Sequence, residues 1–529
     1  MADSSKPNQE GSSGSQDIFN EGEHSAYEEA MSAPVEDLKQ QEVYSKGQEE
    51  QAPSQDVYQD PSTESQPDSV SAPPPFVDDP RKKIIFIALF FIFIIIGGLF
   101  VVRLMGSRKE SQQNNAAVKE VKLVYWGLWE EVDTIKPVID EYVKNRQNVT
   151  IEYIRQDPTQ YRERLQASID RGEGPDIFRF HNSWVPMMNE HLAPLPKEIM
   201  SDEEFAQTFY PVAASDLSVS GNYYGLPLEI DGLLLYYNQD ILDGANVPVP
   251  KTWVDVQNTV PELTVKEGNS IVTSAIAMGT AENIEHFSDL LGLMMLQNGT
   301  DLKSSLFQCA DSQSTSCAVE TLAFYRKFAE PPNNTWDNTL ENSILAFAQG
   351  KVAMIFAPAW QAEIIRSINP DLEFRTAKVP QLPCNTVPCP QIHWASYWVE
   401  GVSPKSENQT EAWLFLKFLI QKDTLQKYYQ EQAKVRTLFG EPFSRVDMAG
   451  ELKDNQYLSP LIEEAPDMQS FYLASKTNDG ETGINSSLNE YLKNAVNSLS
   501  EGVSEESALE TADNGFKEVF ERFNISSGN

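Results

Sequence analysis

The 529-residue chain reads as an α/β protein carried behind a membrane-spanning segment, and three observations lead there. Beyond residue 118, short runs rich in Val, Ile, Phe and Tyr alternate with amphipathic stretches, the pattern of strands joined by helices in a largely parallel sheet. Residues 84–102 form nineteen consecutive Ile, Phe, Leu, Val, Ala and Gly without a charge. Residues 1–80 hold eighteen Asp and Glu against three Lys, too acidic and too poor in apolar side chains to build a core.

In chain order, the tail 1–80 is rich in Ser, Gln, Glu and Pro, cannot bury enough surface to offset chain entropy, and is expected to be disordered in the cytoplasm. It repeats a short theme, Gln41-Glu-Val-Tyr44 and Gln55-Asp-Val-Tyr58, that fits a docking or modification site or a plain solvated tail. The stretch 84–102 within 81–105 is long enough to cross ~30 Å of hydrocarbon as a helix. About eighty residues precede it, so it does not fit a cleaved signal peptide, and no Cys follows until Cys309, which excludes a lipidated leader. Residues 106–117 read as a linker.

Positive charge nearly ties across the span, Arg81, Lys82 and Lys83 against Arg103, Arg108 and Lys109. Cysteine usage breaks the tie. Cys309, Cys317, Cys384 and Cys389 all lie after the span in two local pairs, which suits disulfides in an oxidising exterior. The unequal gaps weigh against the rival four-thiolate zinc site, so no metal and no cofactor are expected. The expected topology is a single pass in the cell membrane, N-terminus cytoplasmic and the domain 118–529 outside. The net charge of −37 lacks the basic footprint of a nucleic-acid binder.

Within 118–529, Val118–Trp126 alternates as a strand, and Ile135, Val138, Ile139, Tyr142 and Val143 mark a helix. Val149–Ile154 is the next strand, Gln160–Arg171 a helix closed by Gly172, and Asp176–Phe180 a third strand. Strand-like Gly232–Tyr237 follows. Helices begin near Thr252-Trp253 and run over 284–296, then a helix and strand occupy 341–356. Further helices cover 411–419, 424–432 and most of the chain from Asn485 on.

Four blocks in this order resemble family 1 extracellular solute-binding proteins, the maltose-binding-protein-like group. They are Tyr161 to Gly-Pro-Asp176-Ile-Phe with Leu192-Ala-Pro-Leu195; Tyr224-Gly-Leu-Pro227 with Leu235-Tyr-Tyr-Asn238; Ala346 to Met354 with Ala357-Pro-Ala-Trp360; and Ser403-Pro-Lys405 with Ala412-Trp413 to Lys417. The resemblance implies a two-lobed periplasmic-binding-protein-like fold of type II. Lobe one would hold about 118–229 and 395–440, and lobe two about 232–390 and 445–529. Hinge crossings are expected near Leu228–Gly232, Cys384–Tyr397 and Phe439–Ala449. It further implies a monomeric binder that captures a carbohydrate for the permease subunits of an ABC importer.

Sugar sites combine aromatic faces with carboxylates, amides and guanidinium groups that bond neighbouring hydroxyls. Trp126, Trp129 and Glu130 follow the first strand, where relatives place ligand contacts, although Trp126 equally suits packing beneath the sheet. His181, Asn182 and Trp184 follow the third strand, with a surface turn as the alternative. Glu229 and Asp231 lie at the first crossing, as hydroxyl acceptors or hinge bonds. Trp360, Trp394, Tyr397 and Trp398 belong to the second lobe and second crossing, and alternation puts Trp394 and Trp398 on one face. Arg436 follows a helix, as a cleft residue or an ordinary ion pair.

Two other functions fit less of the chain. A ligand-sensing receptor with a signalling tail would use the N-terminal segment. A glycoside hydrolase would need paired carboxylates across a bond, and proximity of Glu229 and Asp231 in sequence does not supply that; no nucleophile, zinc-protease or phosphate-loop motif appears.

Overall fold

The computed structural model describes residues 119–310, 316–384 and 388–525. The expected membrane span, the acidic tail and the linker 106–117 lie outside the described residues; among those described, no helix is long and apolar enough to cross a membrane.

The chain opens with β1 (Val121–Gly127), whose alternation sends Leu123 and Tyr125 into the core. The helix Val132–Lys144 buries Ile135, Val138, Ile139 and Tyr142, four of the five residues that its periodicity marks. β2 (Val149–Arg155) then lies parallel to β1 with Val149 opposite Val121. The helix Tyr161–Asp170 stops where Gly172 takes φ +73°, a left-handed turn that glycine enters without strain. β3 (Ile177–His181) is buried along its whole length and pairs parallel to β1. Asp176 locks its start: the carboxylate accepts from Val124 N at 2.8 Å and from the Ser406 hydroxyl at 2.5 Å. A small hairpin, β4 (Ser218–Val219) with β5 (Asn222–Tyr223), precedes β6 (Leu226–Pro227).

After a short passage the chain builds a second sheet from β7 (Leu233–Asn238), β8 (Val265–Glu267), β9 (Ser270–Ile276), β10 (Val352–Pro358) and β11 (Phe374–Ala377), in the order β11-β7-β10-β9-β8. The helix Trp253–Leu263 starts with a capping box, Thr252 and Asp255 each bonding the other's backbone N–H. β12 (His393–Trp394) leads back towards the first sheet, which β13 (Trp398–Val402) joins, giving the order β2-β1-β3-β13-β6. Last, β14 (Met468–Gln469) pairs with β12. The helices Ile484–Ser500 and Glu505–Arg522 then pack on each other and on helices Phe287–Gln297 and Cys317–Arg326 of the second lobe.

Both sheets are mixed rather than largely parallel. β13 runs antiparallel to β3 and β6 because it arrives from the other lobe. β10 and β11 both run antiparallel to β7, and β8–β9 is a hairpin. The second disagreement concerns Trp394 and Trp398. They do not share a strand, since β12 ends at Trp394 and β13 begins at Trp398, so alternation does not carry across Ala395 to Tyr397.

Three chain passages run side by side between the sheets. Residues 228–232 are flanked on one side by Phe443 opposite Glu229 and on the other by Ala395 opposite Gly232. Ile230 N donates to Pro442 O at 3.0 Å and Ser396 N to Asp231 O at 2.9 Å. Gly232 allows this spacing, for a Cβ there would stand 2.0 Å from Trp394 O. In the third passage Arg445 still pairs with Phe209 of the first lobe. The passage reaches the second sheet when Tyr457 packs on Phe374. Cys309 bonds Cys317 and Cys384 bonds Cys389, the two local pairs; among the described residues no cluster could hold a metal.

Candidate functional site

Arg179 stands in the middle of β3, surrounded by apolar neighbours and buried to 2% exposure. Its Nε donates to Glu400 of β13 at 2.7 Å and its Nη1 to Glu130 at 3.0 Å. Glu130 follows β1, so one guanidinium ties β3 to β13 and to the loop after β1. The other Glu130 oxygen accepts from Gln432 Nε2 at 3.1 Å, with Arg436 at 3.5 Å. Arg436 also pairs with Glu441, whose backbone N–H donates to Gln432 Oε1 at 2.9 Å. Glu229 closes the cluster by accepting from Trp398 N at 3.1 Å.

Burial pushes Glu400 up and Glu229 well up, and for Glu229 the neighbouring Glu441 adds to the effect. Burial works on Glu441 too, yet the paired Arg436 guanidinium brings it down to about 2. Glu130, expected as a ligand contact, is buried with both oxygens engaged, and Arg436 takes the ion-pair alternative, its guanidinium committed to carboxylates.

Above this floor lies an aromatic cluster centred on Trp398. Its ring meets Trp129 at 5.4 Å, Trp184 at 5.4 Å and His181 at 5.2 Å, all edge to face. Trp129 and Trp398 are half-buried, whereas Trp184 is at 0% exposure, packed also on Tyr161. Trp184 therefore fills the core and has no face left for a ligand.

His181 is buried between Ser183 Oγ at 2.7 Å and Ser396 Oγ at 3.1 Å, and burial lowers its pKa to about 3, so it stays neutral. Asn182 donates to Asp216 at 2.8 Å and accepts from Tyr397 N at 3.2 Å. The Tyr397 hydroxyl also donates to Asp216, at 2.9 Å, and Ser470 supplies a further hydroxyl. Asn182 and Tyr397 are thus fastening groups; burial raises Asp216 against those three donors.

On the second lobe's side, Asp231 accepts from Gly232 N at 2.6 Å, Ala359 N at 2.8 Å and Trp360 N at 3.2 Å. It pins the first passage to the corner after β10. Burial pushes it up to about 7 despite those bonds. Trp360 is half-buried and stands edge to face on His286 at 6.0 Å. Trp394 is fully buried, and its indole N–H donates to Asp289 at 3.0 Å. Asp289 also accepts from the Ser475 hydroxyl at 2.5 Å. Trp394 is a core residue of the second lobe, held by that carboxylate.

Of the residues singled out from sequence, Trp126, Trp129, Trp360 and Trp398 keep a partly open ring. Glu229 sits beneath Trp398 as an acceptor. Arg179, Glu400, Gln432, Glu441 and Asp216 were missed. Arg179 had a signal: a charge amid Ile-Phe-Arg-Phe is tolerated in a buried strand only with a buried counter-charge.

A family model described as bacterial extracellular solute-binding protein matches residues 138–437. Among curated relatives, a binding protein of Brucella abortus (strain 2308) is 22% identical over 278 residues, 51% of this chain and 64% of that protein. The chain therefore spans a little under two thirds of that relative's length. The maltodextrin-binding protein of Bacillus subtilis (strain 168) is 24% identical over 58% of this chain and 71% of its own. Among solved structures, a cyclo/maltodextrin-binding protein complexed with maltotetraose superposes with a TM-score of 0.60 at 16% identity, covering 77% of this chain and 99% of that one. The cyclic alpha-maltosyl-1,6-maltose binding protein from Arthrobacter globiformis gives 0.60 at 17% identity over 76% and 99%. These structural likenesses establish the two-lobed fold.

Proposed function

Since the chain belongs to the bacterial extracellular solute-binding proteins, a family of substrate binders and not of enzymes, we propose that it captures an oligosaccharide between its lobes for an ABC importer. The observation that carries this reading is the half-buried pair Trp129 and Trp398 on the first lobe, with half-buried Trp360 at the start of the second lobe's corner helix. Indole faces of this kind match the apolar face of a pyranose, and a ligand touching both lobes favours the closed arrangement. The maltodextrin-binding relative supports a sugar as ligand.

In the full reading the domain is held outside the cell by the apolar segment 84–102, with the acidic tail in the cytoplasm, and works as a monomer beside its permease. Thermal-shift titration of the full chain in detergent against maltodextrins, galacto-oligosaccharides and manno-oligosaccharides tests the ligand class: a binder raises the melting temperature by mass action. A chain that no glycan stabilises, and that a peptide or polyol does, would make the sugar reading wrong. Protease added to intact cells tests the topology. It should remove the domain and spare the tail, and the reverse pattern would invert the orientation.

A further inference from the structure

Residues 470–483 join β14 to the helix Ile484–Ser500, and this strap touches both lobes. On the second lobe, the Ser475 hydroxyl lies 2.8 Å from His286 Nδ1 and donates to Asp289 Oδ2 at 2.5 Å, while Ser475 N donates to the same oxygen at 3.1 Å. Lys476 pairs with Glu285 at 2.5 Å, and Asn489 Nδ2 donates to Ala474 O at 2.9 Å. On the first lobe, Arg162 Nε donates to Asp479 O at 2.6 Å, Ser183 Oγ to Asn485 Oδ1 at 2.9 Å and Ile484 N to Met187 Sδ at 3.4 Å. Gly480 fits so closely against Glu163 that a Cβ there would stand 1.8 Å from Glu163 Oε1.

The strap has a fixed shape of its own. Lys476, Asn478 and Gly480 take φ +56°, +54° and +77°, left-handed turns that a lysine adopts only where its surroundings hold it. Asp479 accepts from Asn485 N at 2.7 Å and from the Ser486 hydroxyl at 2.5 Å, which ties the strap to the first turn of the next helix. Thr477 adds a hydroxyl bond to Asn485 Oδ1 at 3.1 Å. That helix packs on the second lobe, so strap and second lobe move as one piece. The bonds that can part are those to Arg162, Ser183 and Met187.

The strap also runs between the two open ring sites. Ser475 bonds His286, on whose ring Trp360 stands. Asn485 bonds Ser183, whose hydroxyl lies 2.7 Å from His181, and His181 meets Trp398 edge to face. We propose that residues 474–485 are a clasp that bridges the cleft and holds the lobes together in the ligand-free chain, and that solute entry begins with its release from the first lobe. Rotation of the lobes about the three passages leaves the backbone intact but parts groups bonded across the lobes away from those passages. Arg162 and Ser183 are such groups, because neither belongs to a passage. The inference concerns the ligand-free chain and stands or falls independently of which solute is captured.

The test uses the full ligand-free chain in detergent, with spin labels at Lys144→Cys on the first lobe and Glu262→Cys on the second, both exposed positions. The four native cysteines are paired and take no label. Double electron–electron resonance should return one inter-lobe distance in this parent. Arg162→Met combined with Ser183→Ala removes two clasp bonds, and each loss should raise the open-to-closed ratio roughly tenfold, so a second distance should appear. A folded double variant that keeps the parent's single distance would overturn the proposal, as would a parent already spread over two distances. Should the double variant fail to melt cooperatively, Gly480→Ala decides: its methyl wedges the strap off Glu163 and leaves the buried arginine in place. It must produce the second distance, and an unchanged distribution refutes the clasp.

Discussion

Replacing Arg179 by Met removes, among the described residues, the only cation in contact with Glu400 and one of the two beside Glu130. Met fills similar volume, so the change is electrostatic rather than a cavity. Glu400 is at 1% exposure and cannot turn to water. Breaking a buried pair on one side costs about 3 to 5 kcal/mol, and this is the loss expected at pH 8. Glu400 is already pushed up by burial, and without Arg179 it rises further. The folded variant therefore binds a proton that the unfolded chain has released, and the loss shrinks as pH falls, by about 1.4 kcal/mol per unit for one proton. Urea denaturation of the full chain, followed by tryptophan fluorescence at pH 5.5 and pH 8, measures both numbers. Adding Glu400→Leu should recover more than half of the loss at pH 8, since an apolar replacement of the pair needs no counter-charge. A wild-type midpoint for Arg179→Met at pH 8, or an equal loss at both pH values with no recovery in the double variant, would refute the ion-pair argument.

Trp184→Ala should cost about 3 to 5 kcal/mol of stability without ligand, while Trp129→Ala should melt near the wild type and lose roughly tenfold to hundredfold in glycan affinity; melting and calorimetric titration of both variants separate core from cleft. Asp231, pushed up to about 7, contributes stability that is full below its unfolded value and fades as pH rises through 7, so scanning calorimetry should find a shallower decline between pH 5 and pH 9 in Asp231→Asn. Non-reducing peptide mapping should return Cys309 with Cys317 and Cys384 with Cys389, and alkylation without reductant should label none of the four.

The order of strands and helices was legible in the sequence wherever a periodic face met a clear terminator. Gly172 and the Thr252–Asp255 box mark helix boundaries because each satisfies or reverses a helix end locally. Sheet direction was not legible, since nothing within Trp398–Val402 reports that its partner is β3, more than two hundred residues earlier (|i−j| = 221 for Arg179 and Glu400). The aromatic candidates divided by the same logic. Trp184 and Trp394 occupy sequence contexts as polar as that of Trp129, and only the arrival of Trp398 on one and Asp289 on the other shows them to be buried. Glu130 carried the chemistry of a sugar contact, but the arginine that claims it comes from β3, a sequence separation of 49, which a linear reading cannot bring together; the glutamate that claims Arg436 lies five residues on.

The interleaving of the two sheets imposes an order on folding. β7 to β11 fall within one stretch of chain, 233–377, so the second sheet can close on itself as soon as that stretch exists. The first cannot: β1, β2 and β3 are made early, but the edge of β3 waits for β13, and Arg179 waits for Glu400. A high contact order slows such a sheet and leaves an open strand edge and an unmatched guanidinium during synthesis. The first sheet is therefore the later of the two sheets to close, and substitutions in β3 and β13 should act on the yield of folded protein before they act on anything it binds.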